Sequence, residues 1–135
     1  MAIKPRRIKP NTTVDYLGSW TVLNETGADI EKNKLVAISG VNSNGAFMIV
    51  ELLGAGADSR VKFVTGQKIP KGSSGVVRAA AILSNVNTAA GAVGDAVNAA
   101  ASGGWQIGGG SEQVGQILKA DATTGSVLLF PQGVS

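Results

Sequence analysis

The side chains that could do chemistry in this chain are its carboxylates. The sequence has no cysteine and no histidine. Thiolate nucleophiles, disulfides, zinc sites with Cys or His ligands and Ser-His-Asp triads are therefore excluded. Carboxylates could act in pairs as a glycosidase acid and base, or bind calcium. The acidic residues are Asp15, Glu25, Asp29, Glu31, Glu51, Asp58, Asp95, Glu112 and Asp121.

The spacing of these acids favours neither use. No Asp-x-Asp or EF-hand pattern occurs in the sequence. The densest group, ETGADIE from Glu25 to Glu31, could hold calcium loosely, but a solvated turn is the more common outcome for such a stretch. Aromatic residues make up only 4% of the chain, which leaves little for binding a sugar. We expect no enzyme activity, no metal site and no cofactor.

Glycine-rich segments are the second candidate for a site. A phosphate-binding loop needs Gly-Lys-Ser/Thr after a strand. SGGWQIGGGSEQVGQ lacks that order, and in PKGSSG the lysine, Lys71, precedes the glycine. The first segment instead places Trp105 and Ile107 among glycines of a flexible hairpin tip. Trp105 could pack in the core or contact a partner, so both residues are candidates for an interface.

The positive charge of the chain lies in its first ten residues. Residues 1–10, MAIKPRRIKP, contain Lys4, Arg6, Arg7 and Lys9 and no acid, so the remainder holds eight bases and nine acids. Two prolines in this segment disfavour helix, and we predict an extended arm over residues 1–12. The arm could be a tether to an acidic or polar neighbour or a solubilising terminus. Nucleic-acid binding is not expected, because the cluster is short and has no aromatic residue for stacking.

The sequence contains no targeting or membrane segment that we recognise. No apolar run follows the basic residues after Met1, so a secretory signal is not expected. AFMIVELLGAGA is short and carries Glu51, which argues against a membrane span. We expect a soluble protein made in a cytoplasm. Charged residues form only 16% of the chain, which is typical of a protein that functions in an assembly.

The elements that would position these residues are short strands. Hydrophobic residues make up 44% of the chain, and Gly or Asn turns recur about every ten residues. Frequent turns between short strands predict an all-β barrel or sandwich, in one domain over residues 13–135. Strands are expected in TVDYLGSWTVL, KLVAIS, AFMIVELL, RVKFVTG and GVVRAAAILSNV, with NETGAD, GVNSNG and QKIPKGSSG as turns.

Residues 88–102 are ambiguous between a short helix and a loop followed by a strand. The alanines favour a helix, whereas Gly91 and Gly94 would each destabilise a helix by about 1 kcal/mol relative to alanine. A faint repeat favours the strand, at GDAVN. ILSNVNTAAGAV, from Ile82 to Val93, resembles ILKADATTGSV, from Ile117 to Val127, and each copy is typical of a strand, a Thr/Gly turn and the start of a return strand.

These segments together resemble the head decoration, or cement, proteins of tailed bacteriophages. The similarity is carried by the N-terminal arm, by NETGADIEKNKLVAISG, by GAVGDAV and by the ending GQILKADATTGSVLLFPQG. It covers most of the chain after the arm. The glycine-rich tip around Trp105 and the QKIPKGSSG turn have no counterpart in the general pattern of that family.

The resemblance implies a small β-barrel or β-tulip body that sits as a homotrimer on the outer surface of the capsid in the virion. It implies that the arm, through Lys4, Arg6, Arg7 and Lys9, adds to an edge of the major capsid protein and that the body clamps neighbouring capsid subunits. No nucleic-acid or membrane partner is expected. The alternative is a phage tail, fibre or surface-layer component that binds a receptor or saccharide.

Overall fold

The structure is a computed structural model that describes residues 14–42, 45 and 47–133, with residues 14–17 described by their backbone. The predicted arm, residues 1–12, lies outside this range. The described residues form short strands and one 3-10 turn, Ala101–Gly103. The strands are β1 (Val14–Leu17), β2 (Trp20–Asn24), β3 (Leu35–Val41), β4 (Met48–Leu52), β5 (Lys62–Thr65), β6 (Ser74–Arg78), β7 (Ala80–Val86), β8 (Ala96–Ala99), β9 (Trp105–Ile107), β10 (Gln113–Lys119) and β11 (Gly125–Leu129).

Five of these strands close into a barrel in the order β2-β4-β3-β5-β6. β2 and β4 run parallel, and the other pairs are antiparallel. Closure leaves the barrel with no free strand edge. Its interior is filled by aliphatic side chains and one phenylalanine, namely Val22, Ile30, Val36, Val50, Phe63, Ile69 and Val77. The predicted all-β class with a barrel is confirmed.

The other six strands form a sheet in the order β1-β7-β11-β10-β8-β9, with every neighbouring pair antiparallel. One face of this sheet packs against the outside of the barrel. The barrel contributes Leu35, Ala37, Leu53 and Val64 to the shared core, and the sheet contributes Ala81, Leu83, Val97, Ala99, Val114, Ile117, Val127 and Leu129.

β3 and β5 form the wall between the two cores. Successive side chains of a strand point to opposite faces. Val36 therefore enters the barrel while its neighbours Leu35 and Ala37 face the sheet. In β5, Phe63 enters the barrel and Val64 faces the sheet. This double burial explains the unbroken apolar run LVAI, residues 35–38, as is typical of strands covered on both faces.

Two predicted strands change sheets partway. TVDYLGSWTVLN divides at Gly18, so that β1 belongs to the sheet and β2 to the barrel. GVVRAAAILSNV divides in the same way at Ala79, between β6 and β7. The two crossings lie side by side, because Leu17 pairs with Ala80.

One end of the barrel is closed by two turns that a buried asparagine holds together. The Asn24 side-chain amide donates to the carbonyls of Ala28 and Ile69, each at 2.8 Å, and its Oδ1 accepts from the Thr26 backbone N–H at 3.0 Å. Ile30 and Ile69 pair across these turns and are almost fully buried. The predicted turn QKIPKGSSG covers residues 67–73 in the structure, because Ser74 and Gly75 already belong to β6. It is not only polar, because Ile69 belongs to the barrel core.

The ambiguous residues 88–102 form a loop followed by strand β8, with the 3-10 turn after it, so the strand interpretation is confirmed. A helix over residues 88–102 would have lost the pairing of β8 with β10 and β9, which buries Val97 and Ala99.

No helix among the described residues is long and apolar enough to cross a membrane.

The repeat interpretation is correct for one copy and wrong for the other. The second copy is the hairpin β10–β11. The first copy is no hairpin, because its two strands, β7 and β8, flank the β10–β11 hairpin on either side. The loop joining them packs against the hairpin turn through Thr88, whose hydroxyl donates to the Lys119 carbonyl at 2.6 Å and accepts from the Asp121 N–H at 2.9 Å.

Replacing Asn24 by Ala is expected to destabilise the protein by about 1–3 kcal/mol, because the buried Ile69 carbonyl would lose its side-chain donor. The matched control is Asn87→Ala, which removes an exposed acceptor for the Ala89 N–H and should cost less than about 0.5 kcal/mol. Urea unfolding measures both. Equal losses would mean that Asn24 does not close the barrel end.

Candidate interaction surfaces

The carboxylates do not converge on a metal-binding site in the described part of the chain. No group of three or more acidic side chains is placed there to hold a metal ion. The acids of the ETGADIE turn contact lysines: Asp29 and Glu31 lie 3.5 and 3.8 Å from Lys68, and the Lys71 N–H donates to Asp29. That last bond lowers the pKa of Asp29. These contacts are those of a solvated turn.

A second group of charges connects the barrel to the sheet. Lys62, only 5% exposed, lies 3.2 Å from Glu112, and the other oxygen of Glu112 accepts from the Asp58 N–H at 2.8 Å. The Arg60 guanidinium bonds Asp58 at 2.7 Å and also contacts Glu51. The hydrogen bonds from Arg60 lower the pKa of Asp58 to about 2. Each charge in this group has an opposite partner, so the group links the barrel to the sheet.

The surface of the described residues contains an open groove of about 350 Å³. We call it the aromatic groove; its lining is almost entirely apolar and consists of Trp20, Val61, Lys62, Phe63, Ala79, Phe130, Gln132 and Gly133. Three of these side chains are large and exposed: Trp20 at 43%, Val61 at 49% and Phe130 at 36%. The Trp20 and Phe63 rings lie 5.0 Å apart at an angle of 41°.

The groove lies where the chain crosses between the sheet and the barrel. Gly18 has φ +71°, and a Cβ there would come within 2.7 Å of the Trp20 ring, so only glycine lets the indole fold back at this crossing. On the opposite wall the C-terminal turn is held by Gln132, whose side-chain oxygen accepts from the Lys62 N–H at 2.9 Å. Trp20 thus covers Phe63 at the barrel end that is not closed by Asn24.

The sequence did not indicate this groove. Trp20 has the appearance of an ordinary strand residue, and Phe130 lies at the end of an apolar strand far away in the chain. No local pattern marks either as exposed. Only the side-by-side crossings at Gly18 and Ala79 bring them to one surface.

The predicted interface residues Trp105 and Ile107 lie on β9, an outer strand of the sheet. Both are half-buried and pack against the core shared by sheet and barrel. The glycines expected to bend the tip follow them, and Gly108, Gly109 and Gly110 all have positive φ. The core contact of Trp105 is therefore present, and a further contact of this edge with a partner stays a prediction.

The predicted arm residues Lys4, Arg6, Arg7 and Lys9 lie outside the described residues. The chain enters the sheet from this segment through β1, which pairs only with β7 within the described residues. β1 and β9 are thus the two outer strands of the sheet, and each leaves backbone groups available to an added strand.

Comparison with known proteins identifies the fold. No protein-family model matches the chain, and neither does any curated protein sequence. Among solved structures, it is similar to the head fiber gp8.5 N base of bacteriophage phi29, with a TM-score of 0.55 and 12% sequence identity. The likeness covers 91% of this chain and 99% of that one. At this identity it shows a shared fold.

The Asp58–Arg60 contact predicts a loss of stability in acid. The folded pKa of Asp58, about 2, lies below the value of about 4 expected for an unfolded aspartate. A lowered pKa stabilises the fold above pH 4, and that contribution is lost as the pH falls towards 2. Asp58→Asn should therefore be less stable than wild type at pH 6, with a smaller difference at pH 2.5.

Thermal unfolding at these two pH values measures the difference. Glu25→Gln, at an exposed turn position, is the matched control and should follow the wild-type curve. A difference between wild type and Asp58→Asn that stays constant from pH 6 to 2.5 would contradict the assignment.

Proposed function

We propose that this protein is a structural component of a phage head that binds the outer surface of the capsid and clamps neighbouring major capsid proteins. The observation that carries the proposal is the likeness of nearly the whole chain to the base of a phage head fiber. The phage cement resemblance of the sequence points independently to the same part of a virion. A structural role of this kind needs no reactive group. The described carboxylates are consistent with that, because many of them are paired with bases.

The physics of a filled shell explains what such a protein contributes. Packed DNA presses outwards, and a protein that bridges adjacent subunits lowers the free energy of the intact lattice relative to a ruptured one. We propose that the protein acts as a homotrimer. Three linked arms rebind at high effective concentration, so that modest contacts give durable attachment.

The proposed contacts are the arm and the β9 edge. Lys4, Arg6, Arg7 and Lys9 would complement acidic groups on the capsid, while the extended backbone around them adds a strand to an exposed sheet edge. The half-buried Trp105 would contribute an amphipathic aromatic contact of the kind enriched at protein interfaces.

The second candidate is a fibre component that binds a receptor or saccharide. It is favoured by one observation, namely that the structural neighbour is the base of a fiber. Against a saccharide, the aromatic groove has an almost wholly apolar lining, and sugar recognition needs hydrogen-bonding groups. A glycan-binding screen separates this candidate from the first, which expects no glycan ligand.

Co-sedimentation with expanded, undecorated phage shells from the same source tests the proposal. We expect saturable binding, at a multiple of three copies per capsomer, and shells that better resist heat. Failure to bind intact shells would overturn the cement function and favour the fibre candidate.

Deleting residues 1–10 should weaken attachment to shells at least about tenfold, because avidity depends on the arms. All described core residues lie outside this segment, so the thermal midpoint should change little. A matched variant with glutamine at Lys4, Arg6, Arg7 and Lys9 keeps the length and removes the charge. If the deleted protein decorates shells as well as the full chain does, the arm is not the attachment device.

Trp105→Ala should reduce shell attachment or trimer formation by more than it reduces stability. Its side chain is only half-buried, so part of the indole remains to contact a partner. Sedimentation equilibrium and thermal unfolding of the same samples compare the two effects, with Leu118→Ala, a residue 40% exposed on β10, as control. A large loss of thermal stability with normal attachment would assign Trp105 to the core alone.

A further inference from the structure

The N-terminal segment contains one short motif twice. Ile-Lys-Pro occurs at residues 3–5 and again at residues 8–10, with two arginines between the copies. In an extended chain, residues two apart point to the same side. The Ile and Pro of each copy would then share one apolar face, with the lysine on the opposite face. The copies start five residues apart, so in a regular extended chain their apolar faces point to opposite sides, and each copy has its own apolar face opposite its lysine.

The aromatic groove has the complementary chemistry. Proline-bearing extended segments bind grooves lined by aromatic rings, because the proline has little conformational entropy left to lose. Trp20 and Phe130 offer such rings, and Val61 extends the apolar wall. The Lys62 ammonium is paired with Glu112 and its N–H with Gln132, so neither would oppose an apolar ligand.

The position of β1 places the segment within reach of this groove. Leu17 pairs with Ala80, which adjoins the groove residue Ala79, and Val14 pairs with Leu83. Val14 is therefore about 10 Å along the sheet from the groove, at 3.3 Å per strand residue. Thirteen residues precede Val14, and an extended chain of ten spans up to about 33 Å. A reversal at residues 11–13 leaves enough chain to return.

The charges of the two parts are also complementary. The first ten residues carry four bases and no acid, whereas the rest of the chain has one more acid than base. Electrostatic attraction to the body would raise the local concentration of the segment near the body, and the apolar contact would determine where the segment binds.

We propose that the aromatic groove is the docking site for residues 3–10 of the same chain in the free protein. The side chains of the second copy, Ile8 and Pro10, occupy the groove, and Lys9 between them faces solvent. The inference does not rest on the proposed function. If that function holds, the segment must leave the groove to reach the capsid, so that the exposed aromatic surface is covered until then.

Photo-cross-linking of the full chain tests the proposal without any shell. Benzoylphenylalanine in place of Ile8 should cross-link, on irradiation, to peptides containing Trp20, residues 61–63 or residues 130–133, as identified by mass spectrometry. In a mixture of unlabelled and 15N-labelled protein, the two peptides of each cross-linked pair should carry the same isotope, because both come from one chain. Cross-links elsewhere, no cross-links, or products of mixed label would each overturn docking within one chain.

Quenching of Trp20 fluorescence provides the second measurement. In a Trp105→Phe background Trp20 is the only tryptophan. Adding Ile3→Ser and Ile8→Ser should raise acrylamide quenching roughly twofold, because a docked segment excludes solvent from the indole face. The control, Val41→Ser, changes a residue that is 63% exposed and does not line the groove, and should leave quenching unchanged. Equal quenching with and without the Ile substitutions would overturn the proposal.

Discussion

The structure depends on two strands that are buried on both faces. β3 and β5 close the barrel with one set of side chains and anchor the outer sheet with the other. Each fully buried Val or Leu in this wall contributes about 1.5–3 kcal/mol. The wall tolerates a charge only with a partner, which explains why Lys62 of β5 meets Glu112 from the sheet side.

The two ends of the barrel are closed differently, one by buried polar turns and the other by an exposed aromatic ring. At one end, Asn24 satisfies the carbonyls of two turns and lets Ile30 and Ile69 fill the interior. At the other end, the Trp20 ring packs at a tilt against Phe63 and stays 43% exposed. A closed polar end gives a partner little apolar area, whereas an aromatic end offers it directly.

Many acids of the described residues are paired with bases, namely Arg60, Lys62 and Lys68. The described residues also expose the aromatic groove, the edge of β9 and the backbone of β1. A similar fold at 12% identity is physically reasonable, because a barrel wall requires apolar residues at alternating positions but not particular ones.

The sequence by itself determined the all-β class and most strand positions, because Gly and Asn turns and β-branched runs are local signals. The lack of Cys and His likewise settled which chemistries were impossible. Tertiary structure alone decided that two runs of residues divide between the sheet and the barrel, one at Gly18 and the other at Ala79. It also decided that Ile69 of a polar turn enters the core and that the two strands of the first repeat copy flank the second copy. It also brought Trp20 and Phe130 to one groove. These features depend on which strands pair across long separations, and pairing energy is shared among many residues that carry no mark in the local sequence.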